Sequence, residues 1–217
     1  MTLKLYGYAP STCTRRVRTV LEEKGLAYEL VPVDVNGGAH KTEEYAKKFH
    51  PFNRIPVLVD EEAGIQVYES RAIGHYIATK YRHVGINLSP TENDIKAYVA
   101  FQEALSMEIS YFDPNVYSVS WEEVLKPKRG LGPADPTIVK AKLEDLDAAL
   151  RGYERVLSKQ KYLAGDSITV ADIFHLPYGA MAEPLGFGDL LPKYPAVEKW
   201  WNGLRARESW KKVNENL

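Results

Sequence analysis

A single cysteine, Cys13, stands in 217 residues. That count excludes an internal disulfide, a CxxC redox pair and any zinc site built on several cysteines. An excess of one charge is missing as well, since 28 Lys and Arg face 29 Asp and Glu for a net charge of -1. Such a balance gives no field that would draw nucleic acid or an anionic membrane, so neither partner is expected. Long apolar runs are absent, and the five histidines show no metal-ligand spacing, so no metal is expected either. The opening Met1-Thr2-Leu3-Lys4-Leu5-Tyr6 runs straight into a strand-like alternation and lacks the regions of a secretory signal, which makes a cytoplasmic location the expectation. What is present is the composition of a folded globular protein, 45% hydrophobic and 26% charged, in a chain long enough for one large domain or two small ones.

The chain changes character near its middle. Residues 2–81 alternate short strands and helices, whereas residues 92–210 read as helices broken by proline and glycine. The expected division is a domain over 1–81, a linker over 82–91 containing Gly85 and Pro90, and an all-helical domain over 92–217. Leu3, Leu5 and Tyr6 form a first strand; Ser11 to Lys24 follow as a helix with Val17, Val20 and Leu21 on one face, closed by Gly25. Val31, Val33 and Val35 mark a second strand, Thr42 to Phe49 a short helix, Val57–Val59 and Gln66–Tyr68 a hairpin around Gly64, and Ser70 caps a helix reaching Tyr81. The order β-α-β-α-β-β-α suits a mixed four-stranded sheet of the thioredoxin-like kind. In the second half Val139, Leu143, Leu146, Leu150, Tyr153 and Leu157 place one helical stripe toward a bundle core. Thr169 and Asp172 form a capping box with Ile168 and Ile173 as its hydrophobic staple, so Asp172 reads as structural rather than catalytic.

Three places in the first half suit one ligand. Ile55-Pro56 precedes the third strand, where a proline leaves the ladder intact and a cis bond would turn the N–H and C=O of Ile55 toward a peptide. Glu69 and Ser70 lie where a strand meets a helix, an acid for an ammonium group and a hydroxyl beside free N–H groups for a carboxylate. Taken alone, the pair is equally a helix cap and a complement to the helix dipole. His40 and Lys41 follow Gly38-Ala39 on a loop and suit a second carboxylate, or form a solvated basic pair. An amino-acid head, a central peptide unit and a distant carboxylate, with Ser11 at a strand-to-helix turn, together outline glutathione.

These residues carry a resemblance over nearly the whole chain. Lys4-Leu5-Tyr6-Gly7, Ser11 ahead of Thr14-Arg15-Arg16-Val17, Val33-Asp34 with Gly38 to Lys41, His50-Pro51-Phe52, Ile55-Pro56 and Glu69 to Ile73 resemble the phi class of glutathione transferases, as do Lys161 to Asp166, Thr169 to Asp172 and Trp200-Trp201. The resemblance implies that Ser11 is the hydroxyl that stabilises the thiolate of glutathione, a co-substrate rather than a bound cofactor. It implies that His40 and Lys41 bind the glycine carboxylate, Ile55 the cysteinyl backbone, and Glu69 and Ser70 the γ-glutamyl end. Asn53-Arg54 stands where the family commonly has Gly-Gln, which leaves Arg54 as a candidate for the glutamine's contact. A role in detoxification, a peroxidase side activity and a homodimer anchored by Phe52 are implied in the same way.

An acceptor pocket for an apolar or aromatic electrophile is expected from the loop around Tyr8, Ala9 and Pro10 and from Ser110, Tyr111, Phe112 and Tyr117, although aromatics at helical spacing are equally core. Cys13 is the rival nucleophile, which would make the chain a thioltransferase. Two positions beyond Ser11 on a helix, it is expected to face elsewhere as a small buried side chain. Arg15, Arg16 and Arg18 read mostly as a solvated helix face. A non-catalytic carrier or scaffold is the third reading, since fold alone does not settle function.

Overall fold

The computed structural model describes residues 3–215. The chain divides into two compact units, Met1–Ser89 with Glu208–Leu217 and Pro90–Arg207. In the first unit the elements are β1 (Leu3–Gly7), α1 (Thr12–Glu23), β2 (Tyr28–Pro32), α2 (Glu43–Lys48), β3 (Val57–Asp60), β4 (Ile65–Tyr68) and α3 (Ser70–Lys80). The sheet runs β2-β1-β3-β4, with β1 parallel to β2 and antiparallel to β3, and β3 antiparallel to β4. This is the expected mixed sheet, its parallel pair joined through a helix because a tight turn cannot make that connection.

Alternation along β1 sorts its side chains. Leu3, Leu5 and Gly7 are buried, while Tyr6 points to the other face and stacks 4.6 Å from Phe49 just beyond α2. Leu3 and Leu5 share the unit's core with Val17, Val20 and Leu21 of α1 and Ile73, Ile77 and Ala78 of α3, all fully buried. Each of the leucines, valines and isoleucines among them contributes roughly 1.5–3 kcal/mol. A Cβ on Gly7 would lie 2.8 Å from the Thr14 side chain, so the absence of one lets α1 begin directly over the end of β1. At the far end of β3, Asp60 accepts hydrogen bonds from Tyr76 (2.9 Å), Lys80 (2.6 Å) and Tyr81 (2.6 Å), which fixes α3 against the sheet. Burial alone would raise the Asp60 pKa, but these donors hold it well below the usual carboxylate range.

Three sequence expectations need correction. The second strand is Tyr28–Pro32 rather than the Val31, Val33, Val35 run, because its partner β1 ends at Gly7 opposite Pro32 and Val33 makes only one last bond to Gly7 (2.8 Å). Residues 82–89 are not a free linker. The Lys24 ammonium is buried and donates to the carbonyls of Ile86 (2.6 Å) and Arg82 (3.4 Å), and Leu88 is buried too. The helical domain does not extend to residue 217, since α12 (Glu208–Asn214) belongs to the first unit. Its Trp210 and Val213 are buried, and Asn214 accepts from Arg15 (2.8 Å), Ser209 meets Glu23 and Lys212 pairs with Glu22 (2.6 Å) along α1.

The second unit is helical: α4 (Ile95–Met107), α5 (Asp113–Ser120), α6 (Lys126–Lys128), α7 (Pro136–Leu157), α8 (Val170–Phe174), α9 (Leu176–Ala182), α10 (Phe187–Leu190) and α11 (Pro195–Arg205). The first three run on through π-helical turns at Glu108–Phe112 and Trp121–Leu125. Pro114 and Pro127 lie just beyond them, and a proline that cannot bond to the carbonyl four residues back widens a helix without ending it. The predicted stripe of α7 buries Leu146, Leu150, Tyr153 and Leu157, while Val139 and Leu143 at its start are half-buried, and the Tyr153 ring lies against Phe112, His175 and Trp200. Among the described residues no helix is long and apolar enough to cross a membrane.

Asp172 is structural, as its capping box indicates, but it does more than cap. Its carboxylate accepts from the N–H groups of Leu163 (3.0 Å) and Thr169 (2.9 Å), the Thr169 hydroxyl (3.1 Å) and the Trp200 indole (3.0 Å). Asp172→Ala leaves these buried donors without an acceptor and is expected to destabilise the protein by about 3 kcal/mol or more, against about 1 kcal/mol for an ordinary cap. Chemical denaturation measures the difference, and a loss near the smaller value would contradict the four-donor account.

Candidate active site

Contacts within the first unit hold the sequence candidates at the starts of α1 and α3 and around the turn that carries His40. Ser11 is the N-cap of α1, in extended conformation (φ -64, ψ 130), and its Oγ accepts the Thr14 N–H at 3.4 Å. A hydroxyl has one proton to give, and among the described residues nothing accepts this one. The first turn of α1 contains no acidic side chain, so the positive end of its dipole is not neutralised there. Tyr8 is half-buried on the approach, its carbonyl taking the Ser11 N–H at 2.9 Å, and Pro10 is exposed.

One turn further along α1 the expectation fails in an informative way. Arg16 is fully buried instead of solvated, and its guanidinium donates to the Ser70 hydroxyl at 2.8 Å and lies 3.8 Å from the Cys13 sulfur. Cys13 is half-buried and turned toward Arg16, so it does not fill the core as expected. Ser70 is the first residue of α3, not its cap; Glu69 takes the cap position. Ser70 is buried, and its own proton likewise finds no acceptor among the described residues. α3 also starts without an acidic side chain in its first turn.

Glu69 leaves β4 with φ 68, and Asn53 has φ 55; among the described residues they are the two non-glycine residues with positive φ. Such conformations cost of order 1–3 kcal/mol and persist where the surroundings over-determine them. Glu69 lies 3.6 Å from Nε2 of His50. The His50 ring is buried, accepts the Phe52 N–H on Nδ1 (3.2 Å) and packs at a tilt against Tyr68, 4.8 Å between ring centres. Asn53 donates its side-chain amide to the carbonyls of His40 (2.9 Å) and Thr42 (3.0 Å), tying down the turn that carries His40 and Lys41. That turn is shaped by Gly38 at φ 77 and by Asp34, whose side chain accepts the Gly37 N–H at 2.8 Å.

Ile55-Pro56 is cis, and the N–H and C=O of Ile55 have no partner among the described residues. The Arg54 side chain is exposed while its carbonyl is held by Tyr45 (3.1 Å). Lys41 is exposed and His40 is buried. The site therefore offers two hydroxyl protons at two helix starts, a free peptide unit and a basic turn, which together can hold a small anionic peptide and a thiolate. Asn53 and His50 entered the sequence analysis only as parts of the resemblance and its departure, without a role in the site. A signal for Asn53 was available, because asparagine is among the few residues that readily adopt positive φ.

The electrophile candidates on the second unit separate. Ser110 and Tyr111 line a cavity of about 720 Å³ between the α4–α5 run and α7, with Ala148, Ala149 and Gly152 across from them. Phe112 faces the core instead and is 1% exposed, its ring 4.6 Å from His175 and 5.5 Å from Phe187. A pocket wall needs an open face, so Phe112 is a core residue. Tyr117 is part-exposed and packs on Trp121 and Tyr178.

Comparison with known proteins adds independent evidence. The family pattern described as Glutathione S-transferase, N-terminal domain, matches residues 1–79, and Glutathione S-transferase, C-terminal domain, matches residues 114–208. Glutathione S-transferase PM239X14 of Arabidopsis thaliana is 48% identical over 201 residues, 93% of this chain and 90% of that protein. The crystal structure of glutathione transferase F7 from Populus trichocarpa superposes with a TM-score of 0.91 at 38% identity, covering 98% of both chains. Glutathione S-transferase I from mais, in complex with an atrazine glutathione conjugate, gives a TM-score of 0.86 at 31% identity, covering 97% of this chain and 95% of that one.

The His50 ring provides a pH test of the site. Burial lowers its pKa below the ordinary histidine value, Glu69 opposes that shift, and the Arg54 charge adds to it. A folded pKa below the unfolded one gives stability that is present above about pH 6.5 and lost as pH falls through the folded value. An NMR titration, with the resonance assigned by His50→Gln, is expected to show the depressed pKa and a further fall in Glu69→Gln. A pKa above the ordinary value would contradict this arrangement.

Proposed function

The chain belongs to the glutathione S-transferase family and resembles its plant phi-class members, and from that premise we propose how its residues conjugate glutathione to an electrophile. The carrying observation is Ser11, a hydroxyl whose acceptor side is used by its own helix and whose proton is left to give. The glutathione thiol loses its proton to solvent water, and the Ser11 O–H donates to the resulting thiolate beside the start of α1. The thiolate sulfur then forms a bond to the electrophilic carbon as the leaving group departs with its electron pair. Ser70 and the N–H groups at the start of α3 hold the γ-glutamyl carboxylate, and Glu69 its ammonium group. Ile55 pairs with the cysteinyl peptide, and His40 and Lys41 receive the glycine carboxylate, with Arg54 flanking. The atrazine conjugate held by the mais relative supports a heteroaromatic electrophile as the acceptor class. Tyr8 and Pro10 in the first unit and Ser110, Tyr111 and Tyr117 in the second remain its candidate contacts.

Magnitudes limit what Ser11 contributes. A free thiol with pKa near 8.5 is roughly 3% thiolate at pH 7, and a two-unit drop needs about 2.7 kcal/mol of differential stabilisation. That drop raises the thiolate population about 25-fold and lowers its intrinsic nucleophilicity roughly eightfold, for a net gain of about threefold. Most of the acceleration must then come from holding the electrophile against the sulfur.

Two tests follow from this reading. Ser11→Ala is expected to lower conjugation of a chlorinated nitroaromatic by at least about threefold, while Cys13→Ala retains it. Conjugation intact in Ser11→Ala, with disulfide reduction abolished in Cys13→Ala, would replace the transferase mechanism with a thioltransferase one. We also propose a homodimer in which Phe52, 71% exposed, enters the cavity beside Ala148, Ala149 and Gly152 of a second copy. Light scattering should find wild type dimeric and Phe52→Ala shifted toward monomer, and a dimer unaffected by the change would contradict this anchor.

A further inference from the structure

Arg16 lies within hydrogen-bond reach of a residue that the preceding reading assigns to ligand, yet it is buried beneath the site and has no part in that reading. A guanidinium does not lose its proton in a protein and accepts no hydrogen bonds, so every contact it makes to a hydroxyl oxygen is as donor. Its 2.8 Å bond to Ser70 therefore occupies an acceptor position of that hydroxyl. The Ser70 proton is thereby directed away from Arg16, and among the described residues no other group takes it. Ser70 opens α3, an eleven-residue helix whose first N–H groups are themselves without intrahelical partners. The hydroxyl and those N–H groups thus form a set of donors with a permanent positive charge behind it, and α1 supplies that charge from its second turn.

We infer that Arg16 is a positioning residue for glutathione. It fixes the Ser70 hydroxyl as a donor toward the α-carboxylate of the γ-glutamyl group and adds a positive charge behind it. The inference rests on the assignment of Ser70 to that carboxylate. Its burial separates Arg16 from Arg15 and Arg18, which are partly exposed on the same helix. Asn214 and Val213 of α12 take contacts from those two neighbours, whereas Arg16 turns inward to α3.

The test compares steady-state kinetics of the full-length protein and its Arg16→Met, Arg16→Lys, Ser70→Ala and Arg16→Met/Ser70→Ala variants, each with a thermal unfolding curve. Arg16→Met is expected to raise KM for glutathione about tenfold, the order of one charge-assisted hydrogen bond, with kcat changed less than about twofold. Arg16→Lys should recover part of the loss. In the Ser70→Ala background Arg16→Met should add less than about twofold, because the hydroxyl it acts through is gone. γ-Aminobutyryl-cysteinyl-glycine, which lacks the α-carboxylate, should be used equally well by wild type and Arg16→Met. An equal factor in both backgrounds, or a loss in kcat instead of KM, overturns the inference. If Arg16→Met does not fold, Arg16→Lys decides: a KM raised in the parent but not in Ser70→Ala supports the inference, and an unchanged KM overturns it. A KM untouched by Ser70→Ala removes the carboxylate assignment and Arg16 with it. A KM raised by Ser70→Ala but untouched by either Arg16 variant removes Arg16 alone.

Discussion

One buried hydrogen bond joins two helix starts in the first unit. Arg16 reaches from α1 to the Ser70 hydroxyl at the head of α3, and the candidate site is organised around that junction. Neither Ser11 nor Ser70 needs a catalytic partner to become a donor. Each has an acceptor position occupied by the protein, by Thr14 in one case and by Arg16 in the other, and each keeps its proton for a ligand. α1 begins without an acidic side chain at its cap or in its first turn, and at α3 the Glu69 cap makes no side-chain hydrogen bond to the first N–H groups, so both helix starts keep N–H groups for an anion. The junction in turn depends on Gly7, which admits Thr14 close to β1, and on Asp60, which fixes α3 at its other end.

Conformational strain is concentrated at the same place. Glu69 and Asn53 hold positive φ with side chains that glycine would not supply. Glu69 needs that turn because the chain must leave β4 at Tyr68 and enter α3 at Ser70 within one residue. Asn53 stands where the phi class commonly has glycine, and its amide binds the two carbonyls flanking Lys41. Asparagine accepts the positive φ found here and its side chain adds support for the basic turn. Beside both residues, the buried His50 ring holds the loop by accepting the Phe52 N–H and packing against Tyr68.

Local signals were readable wherever the cause is local. The β-α-β-α-β-β-α order, the capping box at Thr169, the α7 stripe and the hairpin at Gly64 follow from periodicity and turn chemistry over a few residues. The candidate ligand-binding residues were readable as a set because they carry a family resemblance, and the two family patterns and the relatives show that family. What escaped was decided by distant partners. The limits of β2 come from where β1 ends, and the placement of α12 comes from α1. Arg16 looked like one of three arginines on a wet face until α3 was packed over it. Phe112 and Tyr111 are neighbours in sequence, yet one is core and the other lines an open cavity, because their directions are set at a π-helical turn.

The arithmetic of thiolate activation gives Ser11 a defined and modest part in the reaction, which is to lower a pKa and not to supply the whole rate. That effect can be measured on bound glutathione without any electrophile. Ultraviolet difference titration of the thiolate in the binary complex is expected to give a pKa well below the free value of about 8.5 in wild type. In Ser11→Ala the pKa should return toward that value while glutathione still binds. The same depressed pKa in both proteins would contradict the account, since the proton that Ser11 keeps would then have no part in stabilising the thiolate.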